Sequence, residues 1–126
     1  SQRLYAPRTL SRSDMKYYHN PRCTKSREGL AYLEEKGIAL EVVLYMNEPI
    51  SPTELEDIID ALDIEASDLI RKKEAIWKEE FADKELEEDE LILAMIEHPK
   101  LMERPILVNG SKAAIGRPKE NFDAII

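Results

Sequence analysis

Residues 17–26 read YYHNPRCTKS. The two tyrosines close a β-prone run, MKYY at 15–18, and Asn20-Pro21 turns the chain. Beyond the turn, Leu30, Ala31 and Leu33 recur at helical spacing between Thr24 and Lys36, and Gly37 supplies a C-terminal stop. Residues 40–46, LEVVLYM, are β-branched and aromatic enough to predict a buried strand. Strand, helix and strand in this order predict a parallel pair joined by a right-handed crossover. Cys23, the single cysteine of the chain, falls where the first strand gives way to the first helix.

Downstream, Ser51 is a candidate N-cap, with Pro52 in the first turn and Glu54 three residues on, as in a capping box. Leu55, Ile58, Ile59 and Leu62 then form one apolar face of a helix ending near Asp63. A second helix is predicted from about Glu65 to Lys72. The stretch 74–90 is acidic, with Trp77 and Phe81 as apolar anchors, and its charges read as a solvated face. Residues 88–97 form another helix, stopped near Pro99, and His98 reads as structural. ILV at 106–108 and AAI at 113–115 flank Asn109-Gly110, a strong hairpin signal. A last helix is expected to start near Pro118.

The whole is an α/β chain, β-α-β, then a helical insertion, then β-β-α, which is the order of a thioredoxin-like sheet. In that fold the redox residue follows the first strand, where Cys23 stands. Residues 15–126 read as a single domain. Residues 1–14, SQRLYAPRTLSRSD, carry three arginines and no periodicity. They read as an added leader with Met15 as the natural start, the alternative being a basic transit peptide.

Composition narrows the function classes. The formal charge of -8 opposes a phosphate backbone, and aromatics at 6% give little platform for stacking bases, so no nucleic-acid partner is expected. No apolar run approaches the roughly 20 residues of a membrane helix. One cysteine makes no internal disulfide, which fits a reducing, cytoplasmic setting. Cys23 and His19 are too few soft ligands for a closed zinc site, so no metal is expected.

An ordinary thiol is only slightly ionised at neutral pH. A helix N-terminus offers unpaired N–H groups and a positive dipole end, which favour a thiolate and bind oxyanions. Arg22, Lys25 and Arg27 add nearby cations. A lone cysteine is often a small buried filler, but the position after Pro21 and before a helix points to a reactive thiol. Ser26 stands where a C-x-x-C pair would place its second thiol, so a cycle through Cys23 needs an external thiol such as glutathione. Ser26 either hydrogen-bonds the thiolate or caps backbone. His19 either orients the loop, assists the thiol, or is structural. A C-x5-R phosphatase loop is excluded, because residue 29 is glycine.

Arg104 and Arg117, each before a proline, fall at the open end of the hairpin when its register is counted back from Asn109-Gly110. Two guanidiniums placed there repel unless an anion lies between them. The plainer alternative is two solvated arginines.

Four segments in order, YHNPRCTKSR (18–27), LIRKKE (69–74), EHPKLMERPILV (97–108) and IGRPKE (115–120), resemble the glutaredoxin-dependent arsenate reductase family. The resemblance spans residues 15–126. It implies a thioredoxin-like fold and Cys23 as the nucleophile that attacks arsenate. It also implies Arg71, Arg104 and Arg117 as oxyanion-binding residues, His19 beside the thiol, and Pro105 as a cis-proline facing it. Glutathione is then the co-substrate and glutaredoxin the partner; no bound cofactor and a cytoplasmic monomer are expected. The same superfamily contains Spx-like regulators that bind RNA polymerase, for which the acidic 74–90 face would be a docking surface. Their redox switch usually needs C-x-x-C, which Ser26 breaks. A general glutathione-dependent thiol oxidoreductase is a third reading.

Overall fold

The computed structural model describes residues 15–126; the expectations for residues 1–14 lie outside the described residues. Strand β1 (Met15–Tyr18), helix α1 (Thr24–Glu35) and strand β2 (Glu41–Val43) come first. Helices α2 (Pro52–Leu62), α3 (Ala66–Leu69), α4 (Ala75–Glu80) and α5 (Glu88–Glu97) follow, then a 3-10 turn at Pro99–Leu101. Strands β3 (Ile106–Asn109) and β4 (Lys112–Ile115) and a 3-10 segment at Lys119–Ala124 complete the order. The fold is the thioredoxin-like α/β arrangement expected from the sequence, with helices between its two halves. The described residues form two compact units, one of residues up to Leu44 with Arg104–Ile126, the other Tyr45–Glu103.

In the first unit the sheet runs β2-β1-β3-β4. β1 lies parallel to β2 and antiparallel to β3, and β3 pairs antiparallel with β4. As an inner strand, β1 buries both of its tyrosines, on opposite faces of the sheet. Tyr17 joins Leu33, Leu107 and Phe122 in a fully buried cluster, flanked by Leu30, Ile38 and Leu40. This cluster seats α1 on the sheet, and with it the start of α1.

The buried strand expected over 40–46 shrinks to three residues, with Glu41 and Val42 exposed. β2 is the sheet's edge, and its only partner ends at Tyr18 before the Asn20-Pro21 turn. The hairpin pairs Asn109 with Lys112, so Gly110 and Ser111 make the turn, one residue later than the Asn109-Gly110 signal suggests. Gly110 takes φ +63, which suits glycine at the first central position of a two-residue loop. The last helix is a six-residue 3-10 segment, with Phe122 held in the core and Asn121 Nδ2 donating to the carbonyls of Ile115 and Arg117.

In the second unit, Ser51 Oγ accepts from the Glu54 N–H at 3.0 Å and starts α2 as its sequence predicts, and Asp63 stops it in the left-handed region at φ 59. Glu87 and Glu90 form a capping box at the start of α5, which packs against α2, α3 and the 3-10 turn. Leu55, Leu69, Met95 and Leu101 are fully buried there. The helix expected over 65–72 stops after four residues. Ile70 is extended and bridges Met102, because the Leu101 carbonyl takes the Arg71 N–H and the Leu69 carbonyl takes the Glu103 N–H. Trp77 stacks on Phe81 at 5.8 Å, and Phe81 meets the edge of His98 at 5.8 Å, a packing role of the kind its sequence suggests.

Candidate active site at the start of helix α1

The turn before α1 is built from its own short residues. Asn20 accepts the Arg22 N–H on its side chain at 3.1 Å and the Cys23 N–H on its carbonyl at 3.0 Å. Cys23 is thereby placed at the N-cap of α1 in an extended conformation. Its side chain stands where a serine or aspartate usually receives the first helical amides.

Ser26 secures this turn from beneath. It is fully buried; its Oγ accepts the Asn20 N–H at 3.0 Å and lies 2.7 Å from His19 Nδ1. Its carbonyl accepts the Tyr17 hydroxyl at 2.6 Å. The Ser26 hydroxyl and the His19 ring are thus committed to each other, and both act on the loop; of the roles left open above, these are the orienting ones. Burial holds the His19 pKa below its ordinary value, with Arg27 adding to the effect against Glu34. The ring is therefore neutral near pH 7. With Nε2 carrying the proton, Nδ1 accepts the hydroxyl hydrogen that Ser26 has left to donate.

The thiol is partly buried. Burial pushes its pKa up. The Ser26 backbone N–H, the Arg104 side chain and the Lys25 backbone N–H outweigh burial together, and the net shift is downward. No side-chain cap hydrogen bond is formed at Cys23, so the amides at the helix start act by favouring the charged form. Two of the cations expected from the adjacent sequence serve elsewhere. Arg27 clamps the turn, donating to the Pro21 carbonyl at 2.6 Å and to Thr24 Oγ1 at 3.1 Å, and Lys25 pairs with Glu28 at 3.7 Å. The cation that lowers the thiol pKa comes from the far end of the chain.

Arg104 and Arg117 are brought together as the hairpin register requires. The ladder pairs Ile106 with Ile115, and the two arginines lie just beyond its open end. Arg117 Nε donates to the Arg104 carbonyl at 2.7 Å, and its Nη2 lies 3.6 Å from Cys23 Sγ. Arg104 favours the thiolate form of the same sulfur. One thiol and two guanidiniums make a site suited to a tetrahedral oxyanion. The Arg104–Pro105 and Arg117–Pro118 peptide bonds are both cis. Pro105 is fully buried, and its carbonyl accepts the Gly116 N–H at 2.9 Å.

Arg71 belongs to the helical unit, where it pairs with Glu74 at 2.9 Å and Glu103 at 3.8 Å. It follows an extended residue instead of ending a helix. Two residues of the site escape the sequence reading. Tyr17 looks like a strand residue, yet its hydroxyl holds Ser26. Gly116 looks like a strand end, yet a Cβ there would strike the Phe122 ring and come within 3.0 Å of Pro105 Cγ. Its place next to Arg117 was the one available signal.

The fold and the site define a thioredoxin-like protein with a single cysteine at a helix start, its thiol pKa lowered, beside two arginines. Residues 18–125 match the model of the ArsC family, and the chain belongs to that family. An arsenate reductase of Neisseria meningitidis serogroup B is 45% identical over 115 residues, covering 90% of this chain and 98% of that one. An arsenate reductase of Haemophilus influenzae is 46% identical over 111 residues, 86% of this chain and 96% of its own. The solved structure of an arsenate reductase from Vibrio cholerae superposes with a TM-score of 0.85 at 44% identity, over 89% of this chain and 97% of that one. Among the described residues, no helix is long and apolar enough to cross a membrane.

Proposed function

We propose that the protein reduces arsenate to arsenite in the cytoplasm, with glutathione and glutaredoxin as electron donors and no bound cofactor. The observation that carries this reading is the approach of Arg117 to the sulfur of the only cysteine, with Arg104 beside it favouring the thiolate. Cys23 thiolate displaces hydroxide from arsenic, with the two guanidiniums neutralising the arsenate oxygens. Arg71 is assigned to the same task on the family resemblance. A glutathione thiol displaces a second hydroxide, leaving arsenic(V) held by two sulfurs. Glutaredoxin thiolate then attacks the glutathione sulfur. A mixed disulfide forms, the arsenic–sulfur electron pair stays on arsenic, and arsenic(V) becomes arsenic(III). Water releases arsenite and returns the Cys23 thiol, while a second glutathione regenerates glutaredoxin and leaves as glutathione disulfide.

The external thiol is required by composition. No second cysteine exists in the chain to resolve the adduct, and Ser26 holds the resolving position with a hydroxyl engaged by His19 and Asn20. The test is arsenate-dependent NADPH oxidation with glutathione, glutaredoxin and glutathione reductase. Wild type is expected to turn over and Cys23→Ser to be inert while remaining folded. Equal rates for the two would overturn the reading.

A further inference from the structure

The chain leaves the sheet just before Arg117. β4 is an edge strand, and beyond its last pair the Gly116 N–H bonds the Pro105 carbonyl at 2.9 Å. Peptide groups alternate in direction along an antiparallel strand, so the Ile115 carbonyl faces off the sheet. Asn121 Nδ2 donates to that carbonyl at 3.0 Å and to the Arg117 carbonyl at 3.2 Å. One side-chain amide thus ties the backbone on both sides of Gly116. Both partners are acceptors, so the NH2 end of the amide is the end that meets them. Asn121 is itself held in place. Its own N–H bonds the Pro118 carbonyl at 3.0 Å, and the next residue, Phe122, is fully buried. Tyr32 on α1 donates to Asp123 Oδ1 at 2.7 Å, and Asn109 on β3 donates to the Ile125 carbonyl at 2.6 Å. Helix, strand and core therefore all pin the segment that carries this asparagine.

We infer that Asn121 is a positioning residue for the oxyanion site, acting through the backbone of Arg117. The Arg117 side chain is steadied at its far end, where Nε donates to the Arg104 carbonyl at 2.7 Å. Asn121 steadies the near end. A guanidinium on a long stem inherits every rotation of the backbone that carries it, and a displacement of about 1 Å at a reacting centre can cost on the order of 100-fold in rate. With both ends fixed, Nη2 stays at the sulfur that it approaches to 3.6 Å. This deepens the arsenate reading and rests on it for the anion that Arg117 serves.

Asn121→Leu removes both donors and keeps the bulk, and Asn121→Ala, tested beside it, guards against an effect of the new side chain. Each is expected to lower kcat/KM for arsenate about tenfold, the scale of one or two lost hydrogen bonds. In an Arg117→Ala background the same substitutions should change kcat/KM by less than about twofold, because no guanidinium is left to aim. A second readout needs no turnover. The Arg117 Nε–H, identified in NMR spectra by its loss in Arg117→Lys, is expected to exchange with water about tenfold faster in Asn121→Leu than in wild type. An unchanged exchange rate, or a loss of activity that persists without Arg117, makes Asn121 a structural residue only and overturns the inference. Faster exchange in the variant, with no arsenate turnover by wild type, sustains the positioning role and instead overturns arsenate as the substrate.

Discussion

Arg117 and Cys23 stand 94 positions apart in the chain, and Arg117 Nη2 lies 3.6 Å from Cys23 Sγ. The same guanidinium holds the Arg104 carbonyl through Nε at 2.7 Å, so its direction is set from within the hairpin end. A fork anchored at one nitrogen and offering another is pre-aimed, and little side-chain entropy remains to be lost when an oxyanion arrives.

Loss of that fork should be costly. Arg117→Ala is expected to lower kcat/KM for arsenate by about 100-fold, the scale of removing one donor from an oxyanion site. Arg117→Lys should recover little, because a single ammonium cannot serve both the Arg104 carbonyl and the anion. Full activity in Arg117→Lys would show that only the charge matters. Arg71→Ala, assayed in parallel, is expected to weaken arsenate binding as the family resemblance implies. An unchanged KM for arsenate would remove Arg71 from the site.

The thiol should ionise below its ordinary range, because helix-start amides and Arg104 favour the thiolate more than burial opposes it. Alkylation by iodoacetamide, followed against pH, is expected to rise at lower pH than for a free cysteine. Arg104→Ala should move the profile upward. Identical profiles for variant and wild type would show that Arg104 does not act on the sulfur.

Ser26→Ala removes the buried acceptor of the Asn20 N–H and the partner of His19. Leaving such groups unsatisfied costs about 1–3 kcal/mol, read as a lowered urea midpoint. An unchanged midpoint would mean that water or a shifted turn replaces the hydroxyl.

His19 links stability to pH. Burial lowers its folded-state pKa, so between that value and the unfolded value of about 6.5 the unfolded chain binds more protons. This contribution is complete above pH about 6.5 and is lost as pH falls through that value towards the folded pKa. Urea midpoints should fall on acidification across this window. His19→Gln should give a flatter curve there, and parallel curves would show that the histidine plays no part.

Gly116→Ala would drive a methyl group into the buried Phe122 ring and against Pro105. Overpacking of this kind costs about 1–3 kcal/mol, to be seen in the denaturation midpoint. A variant as stable as wild type would mean that the 3-10 segment carrying Phe122 can shift.

Much of the fold is legible because local signals agreed with the tertiary result. Asn20-Pro21, Gly37, Ser51 and Pro99 mark boundaries that the structure keeps, since turns and caps are satisfied by neighbouring residues. The misreadings fall where distant backbone intervenes. Residues 40–46 have the composition of a buried strand, but edge position and a four-residue partner decide their length. Residues 65–72 have helical spacing, but the Leu101 carbonyl draws the chain out at Arg71.

The site divides in the same way. The sequence by itself determined that there is one thiol, that it follows a turn and caps a helix, and that any resolving thiol must come from outside. It also placed Arg104 and Arg117 at the open end of one hairpin by counting from a tight turn, while the turn's shift to Gly110-Ser111 was left to the strand pairing. Only the tertiary structure decided which cations reach the sulfur and what His19 and Ser26 do. Arg27 lies four residues from Cys23 yet turns to the Pro21 carbonyl, whereas Arg104 and Arg117 arrive from the other end of the chain. A side chain's direction is set by the acceptors that packing brings within reach, and those acceptors are supplied by contacts that sequence distance does not measure.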